Sequence, residues 1–326
     1  MRVFRGVPPS FPVATPTVLA IGNFDGVHRG HLALLARLQE QAAALGLPAT
    51  VITFEPHPRE FFTPRTAPAR LAPLREKLES LAAAGVAQTC VLHFSSAFAA
   101  LRAEDFVAGT LVLGLKARHL IIGDDFRFGA DRQGDFAFLV AAGKRFGFAV
   151  EAMPTVFLDG ERISSSAVRE ALEQGRMERA AALLGRSYAI DGRVVPGSRL
   201  GRQLGFATAN IHIRRLPLPM TGVFAVQVAG FGDRLLPGVA NLGVRPTLHP
   251  ADGDCSTRLG GGGERPILET HLLDFHGDLY GAHLSVRFVR KLRDEMKFPD
   301  LSALQARIAQ DVAAARAFFE NEHPHG

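Results

Sequence analysis

Two cysteines, Cys90 and Cys255, are all that the 326 residues contain. They lie far apart, and neither sits in a Cys-x-x-Cys or Cys/His spacing, so no disulfide framework and no zinc site is signalled. A reducing, cytoplasmic setting fits that pattern. No apolar run approaches the length of a membrane span, and Met1 to Pro12 carries prolines where a signal peptide has an unbroken apolar stretch. A soluble, unprocessed protein without a membrane partner is expected. Runs of basic residues are missing too: 37 Lys and Arg against 32 Asp and Glu leave a net charge of +5, and Arg29, Arg37, Arg59, Arg127, Arg169 and Arg202 stand singly. Even the densest stretch, Val289 to Lys297, is interrupted by Asp294 and Glu295. This argues against a nucleic-acid track and for small anionic ligands.

The composition, 47% hydrophobic and 21% charged, is that of a folded globular chain, and the length suits two domains with a core each. From Thr17 to Leu184 short β-branched runs alternate with amphipathic ones of helical length. Strands are expected at Val18–Ile21, Thr50–Phe54, Gln88–Leu92, His119–Ile122 and Phe148–Ala152, and helices at Leu32–Leu45, Leu74–Ala84, Asp105–Leu113 and Phe136–Phe146. That is the βαβ pattern of an α/β, doubly wound parallel sheet. After Leu184-Gly185 the hydrophobic period becomes mostly two, and Gly and Pro separate the apolar runs. Tyr188–Val195, Phe206–Ile213, Gly222–Val228, Leu235–Asn241, Ile267–Asp274 and Ala282–Arg290 read as strands of an antiparallel β-barrel or sandwich, closed by a helix over Leu301–Phe319. The expected domains are therefore 1–184 and 185–326. The Gly260–Gly263 run reads as a loop, since no Lys-Ser/Thr follows to make it a P-loop.

Directly after the first of these strands comes Gly22-Asn23-Phe24-Asp25-Gly26-Val27-His28-Arg29-Gly30-His31, a glycine-rich turn with two histidines at a helix start. Helix N-termini offer unpaired N–H groups and a positive dipole end, and glycine lets a phosphate come close to the backbone. His28 and His31, three residues apart, share a helix face and can address one phosphate. A lone histidine would read as a solvated surface residue; His-x-Gly-His at a strand-to-helix turn does not.

This text resembles the signature of the nucleotidyltransferase superfamily, in the version carried by bacterial bifunctional riboflavin kinase/FMN adenylyltransferases. Further matches follow in family order: Thr53-Phe54-Glu55-Pro56-His57-Pro58 with Glu60-Phe61-Phe62, Ile122-Gly123-Asp124-Asp125-Phe126-Arg127-Phe128-Gly129, and Ile163-Ser164-Ser165-Ser166-Ala167-Val168-Arg169. Ser166 stands where threonine is usual and keeps the hydroxyl. The resemblance implies an in-line attack of the FMN phosphate on the α-phosphorus of ATP, with pyrophosphate leaving and no covalent intermediate. It makes His28, His31 and Arg169 the phosphate-stabilising groups, and Gly22, Phe24, Asp25, Gly26, Gly30, Ser164, Ser165 and Ser166 the ATP site. Phe62, Asp125 and Phe128 are implied as the flavin site. Read on their own, the serines would be helix caps and the phenylalanines loop packing.

In the second half a glycine- and arginine-rich loop from Gly197 to Gly205, including Gly201, runs into Phe206-Ala207-Thr208-Ala209-Asn210. On a strand Thr208 and Asn210 point the same way, and two neutral oxygens suit a Mg²⁺ that shares ATP phosphates, although such residues are commonly plain barrel surface. The resemblance makes Gly201, Gly205, Thr208 and Asn210 the kinase ATP site, with Mg²⁺ on Thr208 and Asn210. Ala207 departs from the usual proline, which puts the rigidity of that backbone in question. Other matches are Gly238–Gly243 with Arg245-Pro246-Thr247, Glu269–Phe275, and Lys297-Phe298. Glu269 is the expected general base for the 5′-hydroxyl of riboflavin. The stretch His249–Arg258 is longer than the family pattern and reads as an inserted loop. Riboflavin, FMN, FAD and ATP are the expected partners, with nucleic acid not expected and a homo-oligomer left open. Two alternatives stand beside this reading: a nucleotidyltransferase for another phosphate such as pantetheine or choline phosphate, and a flavin-binding regulator without catalysis.

Overall fold

The computed structural model describes residues 1–6, 13–197, 201, 204–213, 217–245 and 265–322. Residues 7–12, most of the Gly197–Gly205 loop, Pro246 and Thr247, the 249–258 stretch and the Gly260–Gly263 run lie outside the described residues. The chain divides into two compact units, Met1–Ser165 and Ser166–Gly326.

The first unit is built on six parallel strands, β1 (Arg2–Arg5), β2 (Thr17–Ile21), β3 (Ala49–Glu55), β4 (Gln88–His93), β5 (Ala117–Gly123) and β6 (Ala149–Met153). Their order is β1-β4-β3-β2-β5-β6. Between them run α1 (Arg29–Leu45), α2 (Pro58–Phe62), α3 (Leu74–Ala83), α4 (Ser96–Ala99), α5 (Ala103–Asp105) and α6 (Phe136–Phe146). The central strand β2, Thr-Val-Leu-Ala-Ile, is buried at every position because both sheet faces are covered. Its alternate side chains feed two cores. Val18 and Ala20 meet Leu34, Leu35 and Leu38 of α1, while Leu19 and Ile21 meet Phe106, Leu111 and Leu139 on the other face. The chain winds outward in opposite directions from β2 and β5, and the crevice beyond the carboxyl ends of such a pair is where α/β sheets take ligands.

Two departures from the sequence reading have local causes. Arg2–Arg5 forms an edge strand on β4, missed because arginines bracket only two apolar residues. The helix expected over Asp105–Leu113 begins as α5 and widens to a π-helical turn over Phe106–Gly114, with Leu115 N–H reaching Thr110 O at 3.0 Å. Val107, Gly109, Thr110 and Val112 are weak α-formers, so core packing of Phe106, Val107 and Leu111 decides the winding.

A small hairpin, β7 (Phe157–Leu158) and β8 (Glu161–Arg162), precedes α7 (Ser165–Glu173) and α8 (Met177–Leu184). In the second unit β9 (Tyr188–Val195), β10 (Ala209–His212), β11 (Gly222–Phe231), β12 (Arg234–Arg245), β13 (Arg265–Leu272) and β14 (His283–Arg293) close a barrel in the order β10-β13-β12-β11-β14-β9. All neighbours are antiparallel. Phe224, Val226, Leu268, Val286 and Phe288 are buried within it. The terminal helix α9 (Leu301–Glu322) covers Val223, Ala225 and Val239 with Val312, Ala315 and Phe319. Asp311 on α9, buried, accepts hydrogen bonds from Arg293 on β14 at 2.8 to 3.0 Å.

Candidate active sites

The turn after β2 carries a backbone that ordinary residues resist. Phe24 (φ 49°) and Val27 (φ 41°) lie in the left-handed region, each at a cost of about 1–3 kcal/mol that packing must offset. Phe24 is fully buried, 5.1 Å from the His31 ring centroid. The Asp25 carboxylate, also buried, accepts from the N–H groups of Leu71 (3.1 Å) and Ala72 (3.2 Å), and the Asp25 carbonyl accepts from Ser165 Oγ at 2.9 Å. The loop is thereby held from two sides.

His28 is the N-cap of α1 and not its first turn: its Nδ1 accepts from His31 N–H at 3.3 Å. In a neutral ring that leaves the proton on Nε2 as a donor for an anion. The His28 and His31 rings stack at 3.7 Å, and a Cβ on Gly30 would sit 3.2 Å from the His28 ring, so glycine clears the seat for that imidazole. Burial above all, then His28 and Lys77, holds the His31 imidazole well below its ordinary 6.5. The sequence reading has three serines opening the next helix; α7 begins at Ser165, with half-buried Ser164 just before it and exposed Ser166 within it. Arg169 lies one turn into α7, in the second unit.

Of the three flavin-site candidates, Phe62 presents an open ring, 62% exposed and packed edge-on against Phe61 and Phe94. Asp125 is exposed and paired with Arg162 at 2.5 Å. Phe128 is enclosed by Phe106, Phe126 and Phe138, so its ring is largely committed to the core. Phe126, half-buried and stacked on it, is the more accessible of the two.

Residues that the sequence reading passed over support the turn. Lys77 on α3 is only 3% exposed, and its Nζ stands 3.5 Å from Thr53 Oγ1. The sequence signal was there, a lysine in the apolar stripe Leu74-Lys77-Leu81. Arg70 grips Glu55 at 2.8 and 3.0 Å and also Glu60. Burial alone would raise the Glu60 carboxyl, but the hydrogen bonds from Arg70 outweigh it and hold the group below its ordinary 4.5.

In the barrel, strand register settles which side chains share a face. Asn210 on β10 is directly opposite Glu269 on β13, which is directly opposite Asn241 on β12. All three are half-buried, between buried neighbours such as Ile211, Leu268 and Ala240, so they form one row on the outer face. Asn241 was not singled out from sequence, although it sits in a matched segment. A Cβ on Gly197 would lie 2.1 Å from Asn210 Nδ2, and one on Gly201 would lie 3.0 Å from Thr208 Oγ1. Glycine there leaves the two polar groups a close backbone cradle. Gly205, at φ 88°, meets nothing within 4 Å. His271 Nδ1 reaches Ala207 O at 2.8 Å, a tether for the backbone that lacks the usual proline. Among the described residues no cluster of three His, Cys, Asp or Glu could hold a metal.

A glycine-rich turn with two stacked histidines at a switch point of a parallel sheet, and a closed barrel carrying Asn210 opposite Glu269, are the candidate sites of a two-site nucleotide-dependent transferase. Family models agree: that of FAD synthetase matches residues 11–167, and that of riboflavin kinase matches residues 184–319. The chain belongs to the bifunctional riboflavin kinase/FMN adenylyltransferase family. It is 50% identical over 317 residues to the protein of that description from Pseudomonas fluorescens, covering 97% of each chain. Its counterpart from Escherichia coli K12 is 49% identical, over 93% of this chain and 92% of the other. A crystal structure described as a macrolide-efflux protein from Streptococcus pneumoniae superimposes with a TM-score of 0.79 at 27% identity, covering 97% of this chain and 99% of the other. No helix among the described residues is long and apolar enough to cross a membrane.

Proposed function

We propose that the switch-point turn carries adenylyl transfer and the barrel row carries riboflavin phosphorylation. The chain has both activities of its family, riboflavin kinase and FMN adenylyltransferase, with ATP as the co-substrate of each. The observation that carries the assignment of sites is that each unit holds its own phosphate-handling set: the capped imidazole pair in one, the Thr208/Asn210/Glu269 set in the other.

At the first site the FMN phosphate attacks the α-phosphorus of ATP and pyrophosphate departs. His28 donates through Nε2–H and His31 through its ring N–H to the oxygens on which charge builds, so the work is positioning and charge stabilisation. The loop around Gly22, Gly26 and Gly30 offers backbone N–H groups to the triphosphate; Phe24 and Asp25 serve it from beneath, as packing and as an anchor. Ser164, Ser165 and Ser166 with Arg169 take the leaving phosphates, and Phe62, Asp125 and Phe128 border the isoalloxazine. At the second site Glu269 accepts the 5′-hydroxyl proton of riboflavin as that oxygen attacks the γ-phosphorus and ADP leaves. Thr208 and Asn210, whose neutral oxygens lie beside the glycine backbone at 197 and 201, would hold a magnesium ion, which would neutralise phosphate charge when bound with ATP. Gly201 and Gly205 border the nucleotide. Functionally the division is 1–184 and 185–326, in a cytoplasmic enzyme.

The test is a chromatogram of riboflavin, FMN and FAD after incubation with MgATP. His28→Ala is expected to stop at FMN. Glu269→Ala is expected to leave riboflavin untouched yet convert supplied FMN to FAD. Loss of both steps in either variant contradicts the assignment.

A further inference from the structure

Lys77 occupies a position where a helix ordinarily packs an apolar side chain. It shares the buried face of α3 with Leu81, and at 3% exposure it is shut off from solvent. A buried ammonium is costly to desolvate, and a methionine would fill the same space without that cost. What surrounds the charge explains its presence. Lys77 Nζ approaches Thr53 Oγ1 at 3.5 Å, and that hydroxyl donates to Asn23 O at 3.2 Å, so ammonium, hydroxyl and loop carbonyl form one chain behind the phosphate turn. The segment entering α3 holds the next residues of the same turn through Asp25. The charged groups around Lys77 are Asp25 from the turn, Glu55 at the end of β3, Arg70 from the connecting segment and Glu60 from α2; His31 of α1 feels it in turn.

Two imidazoles stacked at 3.7 Å repel when both are charged. A proton on His28 Nδ1 would also replace the acceptor that caps α1 with a donor facing His31 N–H. Charge on both rings would therefore loosen the stack and the cap together. Resting on the reading that His28 and His31 grip the reacting phosphates, we infer that Lys77 is a positioning residue for adenylyl transfer: its buried ammonium supports the turn at Asn23 through Thr53 and keeps a positive charge behind His31, so that the stacked pair meets the phosphates seated. Burial, His28 and Lys77, in that order, already disfavour the charged form of His31.

The experiment compares wild type, Lys77→Met and Lys77→Arg by NMR titration of imidazole Hε1 signals, the His31 signal being identified by its loss in His31→Gln. Wild-type His31 is expected to titrate well below 6.5, and in Lys77→Met to move up toward that value. In the same variant kcat for FMN adenylylation falls roughly 10- to 100-fold, as when the outer support of a functional group is removed, with a smaller change in KM for ATP. Riboflavin phosphorylation by the same chain stays unchanged and reports an intact second unit, the dispersion of the amide signals of residues 1–165 reports a folded first unit, and Lys77→Arg keeps both the titration and most of the rate. An identical His31 titration in wild type and Lys77→Met overturns the inference, whatever the rate does. A wild-type titration near 6.5 overturns it without any variant. Undiminished adenylylation in His28→Ala would instead remove the underlying site reading, a separate result.

Discussion

His28 does two jobs with its two nitrogens, and they can be separated. Asparagine is a good N-cap but has no imidazole, so His28→Asn is expected to keep the stability of the first unit while adenylyl transfer falls by about 10²–10³ in kcat. His28→Ala is expected to lose the activity and about 1 kcal/mol of stability besides; equal melting temperatures for the two variants would contradict the capping role. Glu60 gives the first unit an acid limit. Its carboxyl is held below 4.5 in the folded state, so its contribution is fully present above that pH and is lost as pH falls through the lower folded value. Amide exchange around residues 49–72 is expected to accelerate below pH 4.5 in wild type, and Glu60→Gln to lack that component. At this scale the histidines were legible in the sequence because a strand, glycines and a helix start converge on them. Lys77 is legible only as a lysine in the apolar stripe of α3, a signal outweighed by the solvation usual for lysines on helices, and the Glu55–Arg70–Glu60 network joins residues whose proximity only the fold creates.

Elements were read best where one periodicity held over their whole length. Phe136–Phe146 and Tyr188–Val195 have the limits that the sequence implies, whereas the strand expected over Phe206–Ile213 pairs only at Ala209–His212, since the preceding residues are drawn toward Gly201 by hydrogen bonds from Leu204 and Phe206. The row Asn210–Glu269–Asn241 could not be read at all before the register was known, because β10, β12 and β13 are far apart in sequence. The Gly197 cradle yields a sharp expectation. Overpacking of that kind costs about 1–3 kcal/mol, so Gly197→Ala is expected to lower kcat/KM for riboflavin phosphorylation roughly 10- to 100-fold with FMN adenylylation unchanged. Equal activity would mean that Asn210 is free to move. The α9 clamp is a stability device: Asp311→Ala leaves Arg293, 12% exposed, without its partner, at a cost of about 3–5 kcal/mol. Both tyrosines, Tyr188 and Tyr280, belong to the second unit and tryptophan is absent, so tyrosine fluorescence during urea unfolding reads that loss directly.

For the molecule as a whole, the change of texture at Gly185 announced two architectures, a parallel sheet and a closed barrel, and both are present. The compact units nevertheless part at Ser165, with α7 and α8 grouped with the barrel, because α8 packs on β9 and β14 and Gly175 lies against Lys291. Amphipathic periodicity carries no record of which neighbour a helix chooses. Two separate sites, each sufficient for its own reaction, are the core of the account. A mixture of the His28→Ala and Glu269→Ala chains, supplied with riboflavin and MgATP, tests this most directly: FMN released by the first is expected to be adenylylated by the second, giving FAD after a lag although neither chain makes it alone. Absence of FAD from that mixture, with each half-reaction still measurable on its own, would contradict it.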